Sequence, residues 1–230
     1  MACILNIETS TLACSVAVSN NSKVIYKQEE LTGPSHASLL GVFADQAVKF
    51  VQDNGYKLDA IAVSCGPGSY TGLRIGVSEA KGLCFGLDLP LIAVNTLLTM
   101  ASKVVNSVSL SQDFLLCPMI DARRMEVYAG IYNQKLEQVR AIAADIVDEN
   151  SYQEYLTQNK LVFFGNGADK CKDCLTGKNT LFLNDIYPLA SDMIALSEKA
   201  FEKEDFVDIA YFEPFYLKEF VATTPKNNLF

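Results

Sequence analysis

The sequence predicts an α/β protein made of two similar halves, each a mixed β-sheet with helices packed against it. Two correspondences support the duplication. The runs "ILNIE" and "CPMID" each end a first strand on a carboxylate, Glu8 and Asp121. The runs "CGPG" and "FGNG" each end a fourth strand on a Gly-x-Gly. Half of the 230 residues are hydrophobic and a fifth are charged, so the chain can bury a large core.

In the first half, period-two and apolar runs predict the strands, and amphipathic spacing predicts the helices. Ser35 and Asn95 stand where the first and third helices begin, and both are preferred N-cap residues. The predicted elements are strands over 3–9, 12–19 and 23–30, a helix over 35–55, a strand over 59–65, a helix ending near 86, a strand over 89–94 and a helix over 95–106.

The second half repeats this order as far as its fourth strand. We predict strands over 114–122, 125–133 and 135–145, a helix from about 145 to 158 and a strand over 160–165. Three strands, a helix, a strand and a helix, given twice, are the plan of the actin-like ATPase fold, whose halves each resemble ribonuclease H. Each sheet is then mixed, because an antiparallel meander is followed by parallel strands.

The second half departs from the plan after its fourth strand, which sets the expected domain organisation. We expect a first subdomain over 1–104. A second, partly eroded subdomain should cover 105–230, with a C-terminal segment that returns toward the first.

The charge and cysteine content narrow the classes of function. The formal net charge is −8, and such a chain repels phosphate backbones, so we expect no independent binding of nucleic acid. The seven cysteines are an odd, scattered set, which favours free thiols in a reducing cytoplasm over disulfides. The apolar N-terminus lacks a basic segment and no long uncharged apolar run follows, so we expect neither a signal peptide nor a membrane span.

The segment "SCGPGSYTGLRIG" resembles a phosphate-binding loop in its glycine content only. Its glycines lie at 66, 68, 72 and 76, so the third comes one residue late for the G-x-G-x-x-G of dinucleotide-binding folds. No lysine follows Gly72, as a P-loop would require. We therefore interpret the segment as a tight strand-to-helix turn, in which glycine permits positive φ and close packing.

Small residues recur every four positions on the helix that follows this turn. Gly72, Gly76, Ala80 and Cys84 form a ridge along one helix face, and another segment can approach such a ridge closely. Packing inside the chain and docking of a second subunit both explain the ridge, and the pattern alone leaves both open.

Other chemistry-bearing residues lack the partners that catalysis would need. His36 is the only histidine and Leu40 stands one helical turn later, so neither a catalytic triad nor a two-histidine metal site is predicted. We interpret His36 as a surface or interface residue. Cys171 and Cys174 have C-x-x-C spacing without a second such pair, and their role stays open.

Five segments together resemble the TsaB family: "ILNIETSTLACSVAV", "CGPGSYTGLRIGVSEAKGL", "IDARRMEVYAG", "GNGA" and "EPFYLKEFVA". The resemblance covers residues 3 to about 222, and GPGSYTGLRIG is its most distinctive part. It implies an actin-like fold without catalysis of its own, without a metal and without a cofactor. The family's partner is TsaD, which transfers a threonylcarbamoyl group to N6 of the adenosine next to the anticodon in tRNAs reading ANN codons. The resemblance also implies a ternary complex with TsaE and tRNA contact only through the complex. Whether the protein forms a homodimer when it is alone stays open.

The resemblance places the pairing surface in the first subdomain, on its first helix and on the helix after the glycine turn. Carried onto this sequence, the surface comprises Ser35, His36, Leu39, Leu40, Gly72, Arg74, Ile75, Gly76, Val77, Glu79, Ala80 and Leu83. A second hypothesis is an ATP- and Mg²⁺-binding ATPase or kinase of the same fold. It would use the two strand-end carboxylates and their neighbouring turns: Glu8, Thr9, Ser10, Asp121, Gly165 and Gly167.

Overall fold

The first half of the chain forms a five-stranded mixed sheet with three helices. The computed structural model describes residues 2–33, 35–110 and 114–218, so the end of the expected second subdomain lies outside the described residues. The elements are β1 (Cys3–Glu8), β2 (Cys14–Asn20), β3 (Lys23–Glu30), α1 (His36–Asp53), β4 (Ala60–Gly66), α2 (Tyr70–Leu87), β5 (Leu91–Asn95) and α3 (Thr96–Ser107). The strand order is β3–β2–β1–β4–β5, with the first three strands antiparallel and β4 and β5 parallel to β1.

The second half forms another five-stranded sheet with the same topology. Its elements are β6 (Phe114–Asp121), β7 (Glu126–Tyr132), β8 (Gln138–Ile146), α4 (Gln153–Leu156), β9 (Lys160–Phe164), a 3₁₀ turn (Asp169–Cys171), β10 (Thr180–Leu183), a second 3₁₀ turn (Ala190–Met193) and α5 (Ile194–Glu202). The order β8–β7–β6–β9–β10 repeats the first sheet strand for strand. The predicted fold of two ribonuclease-H-like halves is therefore confirmed.

The helix predicted from about 145 to 158 is wrong, because β8 continues to Ile146 and α4 covers only Gln153–Leu156. Asp145 stays in the sheet, where its carboxylate accepts hydrogen bonds from Arg140 at 2.9 and 2.6 Å and from the Tyr152 hydroxyl at 2.8 Å. The Asp148 side chain then accepts the backbone N–H of Asn150 at 2.9 Å. Such local side-chain bonds favour a turn over a helix.

Helical segments cover both faces of the first sheet. α1 and α2 pack on one face, where Leu40 and Ala80 join a core with Leu5. The turn Ala190–Met193 and α5 pack on the other face, where Met193 lies against Ile4. The first sheet is thus completed by residues from the far end of the chain.

α3 connects the two halves, and its side chains belong to the core of the second sheet. Leu97, Met100 and Val104 pack with Val162 and Phe164. The expected boundary between residues 104 and 105 falls inside this helix, and the division into two subdomains at that point stays a prediction. In the described part of the chain, no helix is both long and apolar enough to cross a membrane.

The two predicted N-caps give a first test of the fold. The Asn95 side chain accepts the N–H of Leu98 at 3.0 Å, whereas Ser35 occupies the N-cap of α1 without any such bond. Asn95→Ala should therefore lower the free energy of unfolding by about 1 kcal/mol, and Ser35→Ala by less than about half of that. Urea denaturation of the two variants measures the difference. Equal losses would contradict the assignment of the cap to Asn95.

Candidate functional site

The ridge of small residues on α2 faces the interior, where the turn after β1 packs against it. A methyl group added to Gly68 would overlap the carbonyl oxygen of Ser10, and one added to Gly72 would overlap that of Thr9. At Gly76 the overlap would be with Thr9 Oγ1. This hydroxyl donates to the carbonyl oxygen of Gly72 at 2.8 Å. Glycine is therefore required at these positions because the backbone of Ser10 and Thr9 and the Thr9 side chain pack directly against them within the same chain.

The structure consequently revises the predicted pairing surface. The residues of that set that lie buried are His36, Leu40, Gly72, Gly76, Val77 and Ala80. The half-buried ones are Ser35, Leu39, Ile75, Glu79 and Leu83, and Arg74 is exposed. Buried side chains present no surface to a partner, so the part of the set that remains available is the second group with Arg74.

His36 in particular is not the surface residue that we expected. Its ring is buried and Nε2 lies 3.2 Å from the carbonyl oxygen of Ala13, within hydrogen-bonding distance. This contact ties the start of α1 to the turn between β1 and β2. No sequence pattern indicated this contact, because Ala13 is 23 residues away in the chain.

The exposed sides of α1 and α2 form a second surface, which the pattern of small residues did not predict. We call it the outer helix face and define it by the exposed residues Ser38, Gly41, Val42, Asp45, Thr71, Arg74, Ser78, Gly82 and Phe85. Phe85 is 86% exposed and Val42 is 49% exposed. No described atom outside the helix itself comes within 4 Å of a methyl group added at Gly41 or Gly82. The i, i+3, i+4 spacing of the α2 residues, opposite the ridge, could have revealed this face.

The residues of the nucleotide hypothesis lie in two separate places. Glu8, Thr9 and Ser10 are fully buried at the end of β1, and Asp121 is exposed at the end of β6 in the other sheet. Lys170 forms an ion pair with Asp121. Among the described residues, no hydrogen bond or ion pair joins Glu8 to Asp121, and no three His, Cys, Asp or Glu side chains lie close enough to hold a metal ion.

Glu8 is a buried carboxyl group with incomplete hydrogen bonding. Its Oε1 accepts the N–H of Ser10 at 2.6 Å, while Oε2 has no partner among the described residues. Loss of hydration in the interior raises the pKa of Glu8 above its ordinary value, and the hydrogen bond from the Ser10 N–H opposes this shift in part. A carboxyl group with no solvent access is poorly suited to bind Mg²⁺ or a phosphate.

The second glycine turn is also explained by packing. Gly165 has a φ of +103°, and a methyl group there would overlap the carbonyl oxygen of Met119. A methyl group on Gly167 would lie 2.8 Å from the carbonyl carbon of Ile120.

The Cys171 thiol lies near this turn and donates to the carbonyl oxygen of Gly167 at 3.3 Å. Burial raises the pKa of this thiol to about 11. Such a thiol is a poor nucleophile or metal ligand.

A cavity of about 510 Å³ opens between the two halves. Its walls are mainly apolar, and none of the described residues that line it is charged: Asn95, Leu98, Tyr132, Leu136, Gln138, Ala141, Ile142 and Phe215. Phosphate sites in proteins use positive charge or converging N–H groups, and this lining offers no cationic side chain for the purpose.

Residues 207–218, which we call the C-terminal strap, cross from β5 to α2 and on to β7. Val207 pairs with Leu91. Lys81 donates to the carbonyl oxygens of residues 210 and 212, at 3.2 and 3.1 Å. The N–H of Phe215 donates to the carbonyl oxygen of Cys65 at 2.7 Å, and Lys218 forms an ion pair with Glu126. The strap thus contacts both halves.

Sequence comparisons give a consistent set of matches. The family model described as "TsaD: tRNA N6-adenosine threonylcarbamoyltransferase" matches residues 21–225. The "tRNA threonylcarbamoyladenosine biosynthesis protein TsaB" of Escherichia coli is 32% identical, over 95% of this chain and 96% of its own length. Its namesake in Haemophilus influenzae is 29% identical, over 95% and 94%. A tRNA N6-adenosine threonylcarbamoyltransferase of Koribacter versatilis is 38% identical over 42% of this chain and 29% of its own.

Solved structures agree with the sequence matches. A Pseudomonas aeruginosa protein, described as similar to the peptidase YEAZ, superposes with a TM-score of 0.80 at 26% identity. It covers 95% of this chain and 100% of its own. YeaZ from the same organism superposes with a TM-score of 0.75 at 26% identity, over 94% and 100% of the two chains.

Two glycines of α2 test the orientation of the ridge. Gly76→Ala should lower the free energy of unfolding by about 2 kcal/mol, because the methyl group overlaps Thr9 Oγ1 in a close-packed interior. The matched change Gly82→Ala places its methyl group in open space and should raise that free energy by up to about 1 kcal/mol, since alanine favours helix. Urea denaturation gives both values. Equal effects of the same sign would refute the buried ridge.

The buried carboxyl group makes stability depend on pH in a way that Glu8→Gln should remove. The folded state holds the Glu8 proton more tightly than the unfolded state, so wild type should lose stability as pH rises above the ordinary pKa of 4.5. Each unit of elevation of the folded pKa corresponds to about 1.4 kcal/mol. Denaturation curves from pH 4 to 7 should therefore show that the free energy of unfolding of Glu8→Gln rises relative to that of wild type as the pH increases. Parallel pH profiles would show that Glu8 ionises normally in the fold.

Proposed function

The chain belongs to the TsaB family, and from this premise we propose that it is the non-catalytic subunit of a complex that forms N6-threonylcarbamoyladenosine in tRNA. The modified base would be the adenosine next to the anticodon in tRNAs reading ANN codons. Its full-length relatives carry the name of this biosynthesis in tRNA. In this proposal the protein supports the transferase TsaD by binding to it.

We propose that TsaD docks on the outer helix face. The exposure of Phe85 together with the open glycines Gly41 and Gly82 supports this assignment. A glycine inside a helix costs about 1 kcal/mol relative to alanine, and no contact in the described part of the chain requires glycine at these two positions. Smallness at an exposed position is useful where another helix approaches closely. An exposed phenylalanine beside it offers apolar area to the same partner.

The proposal assigns no catalysis to this chain, and the burial and pairing of its candidate catalytic residues support that. Glu8 is buried, Asp121 is paired with Lys170, and His36 is buried against the Ala13 carbonyl. In the ATPase or kinase alternative, Glu8 would have to reach Mg²⁺, and no observation on the described residues favours that.

The remaining partners follow from the same proposal. TsaE joins the complex, and in the absence of TsaD a second copy of the chain uses the outer helix face. The acidic chain contacts tRNA only through the complex, because a net charge of −8 opposes binding to phosphates. We place the complex in the cytoplasm, since all seven cysteines are free thiols.

Gly82→Arg tests the docking face. Gly82 is exposed and its side-chain space is open, so the variant should fold normally yet prevent close approach of a partner helix. We expect loss of co-elution with TsaD in size-exclusion chromatography, and loss of threonylcarbamoyladenosine formation when the variant replaces wild type beside TsaD and TsaE. Gln158→Arg, which adds the same charge at an exposed position of the second half, is the control. Co-elution of a folded Gly82→Arg variant at the wild-type level would exclude this face.

A further inference from the structure

Arg74 is an exposed arginine that two aromatic rings hold in place. Its guanidinium carbon lies 4.6 Å from the centroid of the Tyr70 ring. Its Nε donates a hydrogen bond to the Tyr216 hydroxyl at 3.4 Å. The two rings are themselves 5.0 Å apart. Stacking and the hydrogen bond together restrict a side chain that is otherwise among the most flexible in proteins.

Most of the donors of this guanidinium are unused within the described chain. An arginine carries five N–H groups, and with the described residues Arg74 forms a hydrogen bond only through the one on Nε. No described carboxylate lies within ion-pair distance of it, and Glu213 acts on it only as a more distant charge. Arg140 provides the contrast, because both of its terminal nitrogens donate to Asp145, at 2.9 and 2.6 Å. Arg74 therefore presents an immobilised fork of donors to solvent on the outer helix face.

We propose that Arg74, held by Tyr70 and Tyr216, binds a carboxylate side chain of the partner protein that docks on the outer helix face. This inference rests on the proposed function and names the chemistry of one contact within it. A guanidinium fork matches the two oxygens of a carboxylate and binds both at once. Arginine and tyrosine are also the residues in which interface binding energy is most often concentrated.

An RNA phosphate is the other anion that such a fork could bind, and the surroundings oppose it. Glu79 lies on the same helix as Arg74, and Glu213 on the strap is near enough to act on the charge of Arg74, whereas Asp45 on the outer helix face is paired with Lys49. A polyanion would have to bring many phosphates past these carboxylates, whereas a single carboxylate among apolar side chains would not. Phe85 and Val42 supply exposed apolar area on the same face. A protein surface with one acidic residue is the better match.

Tyr216 acts on the partner only through Arg74, which makes it a positioning residue. It reaches α2 because the strap is fixed on both sides of it, by the bond from the Phe215 N–H to the Cys65 carbonyl and by the ion pair of Lys218 with Glu126. Immobilising an interface side chain before binding removes part of the entropic cost of association. The docking face is therefore completed by the last described residues of the chain.

The test uses the full-length protein and purified TsaD in isothermal titration calorimetry. Arg74→Lys keeps the charge but loses the planar fork, and should weaken binding roughly tenfold. Arg74→Glu should weaken it by more than roughly a hundredfold, because a carboxylate would then face a carboxylate. The matched control is Arg124→Glu, the same charge change at an exposed arginine of the second half, and it should bind as wild type does.

Tyr216 and the partner carboxylate have tests of their own. Tyr216→Ala should weaken binding several-fold, with partial recovery in Tyr216→Phe, because the phenyl ring restores the stacking but not the hydrogen bond. Replacing exposed acidic residues of TsaD one at a time by arginine should identify one variant that restores binding of Arg74→Glu. Such rescue would establish the charge pair.

Three results would overturn the proposal. The first is binding of Arg74→Glu within about twofold of the Arg124→Glu control. The second is failure of every acidic substitution in TsaD to rescue it. The third is an Arg74→Glu complex that retains affinity for TsaD but loses tRNA, which would assign the fork to phosphate. If Gly82→Arg abolishes docking while Arg74→Glu does not, the docking face stands and only the carboxylate contact is refuted.

Discussion

The close packing of the β1–β2 turn on α2 is the contact on which the rest of the structure depends. Gly68 and Gly72 allow the backbone of Ser10 and Thr9 to lie directly against the start of the helix, and Gly76 makes room for the Thr9 side chain. That approach seals the end of β1, so Glu8 loses its contact with solvent. It also fixes which side of α2 faces outward. The exposed residues of α2, Arg74 and Gly82 among them, therefore lie on the side opposite this contact.

The sequence was sufficient for the architecture because local patterns repeat in both halves. Alternating strands, two carboxylate-ended strands and two Gly-x-Gly turns fall at equivalent places in two sheets of identical order. It failed between 145 and 158, where the bonds of Asp145 with Arg140 and Tyr152 compete with helix formation. Those bonds form between side chains that the sheet brings together, and the periodicity of hydrophobic residues contains no information about them.

The site was harder to predict than the fold, for a physical reason. Small residues at four-residue spacing report that something approaches a helix closely, but not what approaches it. The ridge of Gly72 and Gly76 receives the chain's own turn, and the open glycine Gly82 lies on the opposite side of the same helix. Only the positions of Thr9 and Ser10 in the fold distinguish the buried side of α2 from the open side. The contact of Arg74 with Tyr216 was equally invisible, since 142 residues separate them in sequence.

α5 and the strap pack against the first half of the chain but are synthesised last, and this order has a consequence for folding. Ile4 and Ile92 lie on a face of the first sheet that stays open to solvent until Met193 and its neighbours have been made. Tyr216 emerges later still. A nascent chain that has completed only its first half therefore exposes apolar sheet and lacks the Tyr216 contact of the proposed docking surface, although α1 and α2 are already present. Folding of the first sheet therefore requires translation of the distal part of the chain. If the partner docks as proposed, binding requires it too, and partial products would be poor competitors for the partner and good substrates for chaperones.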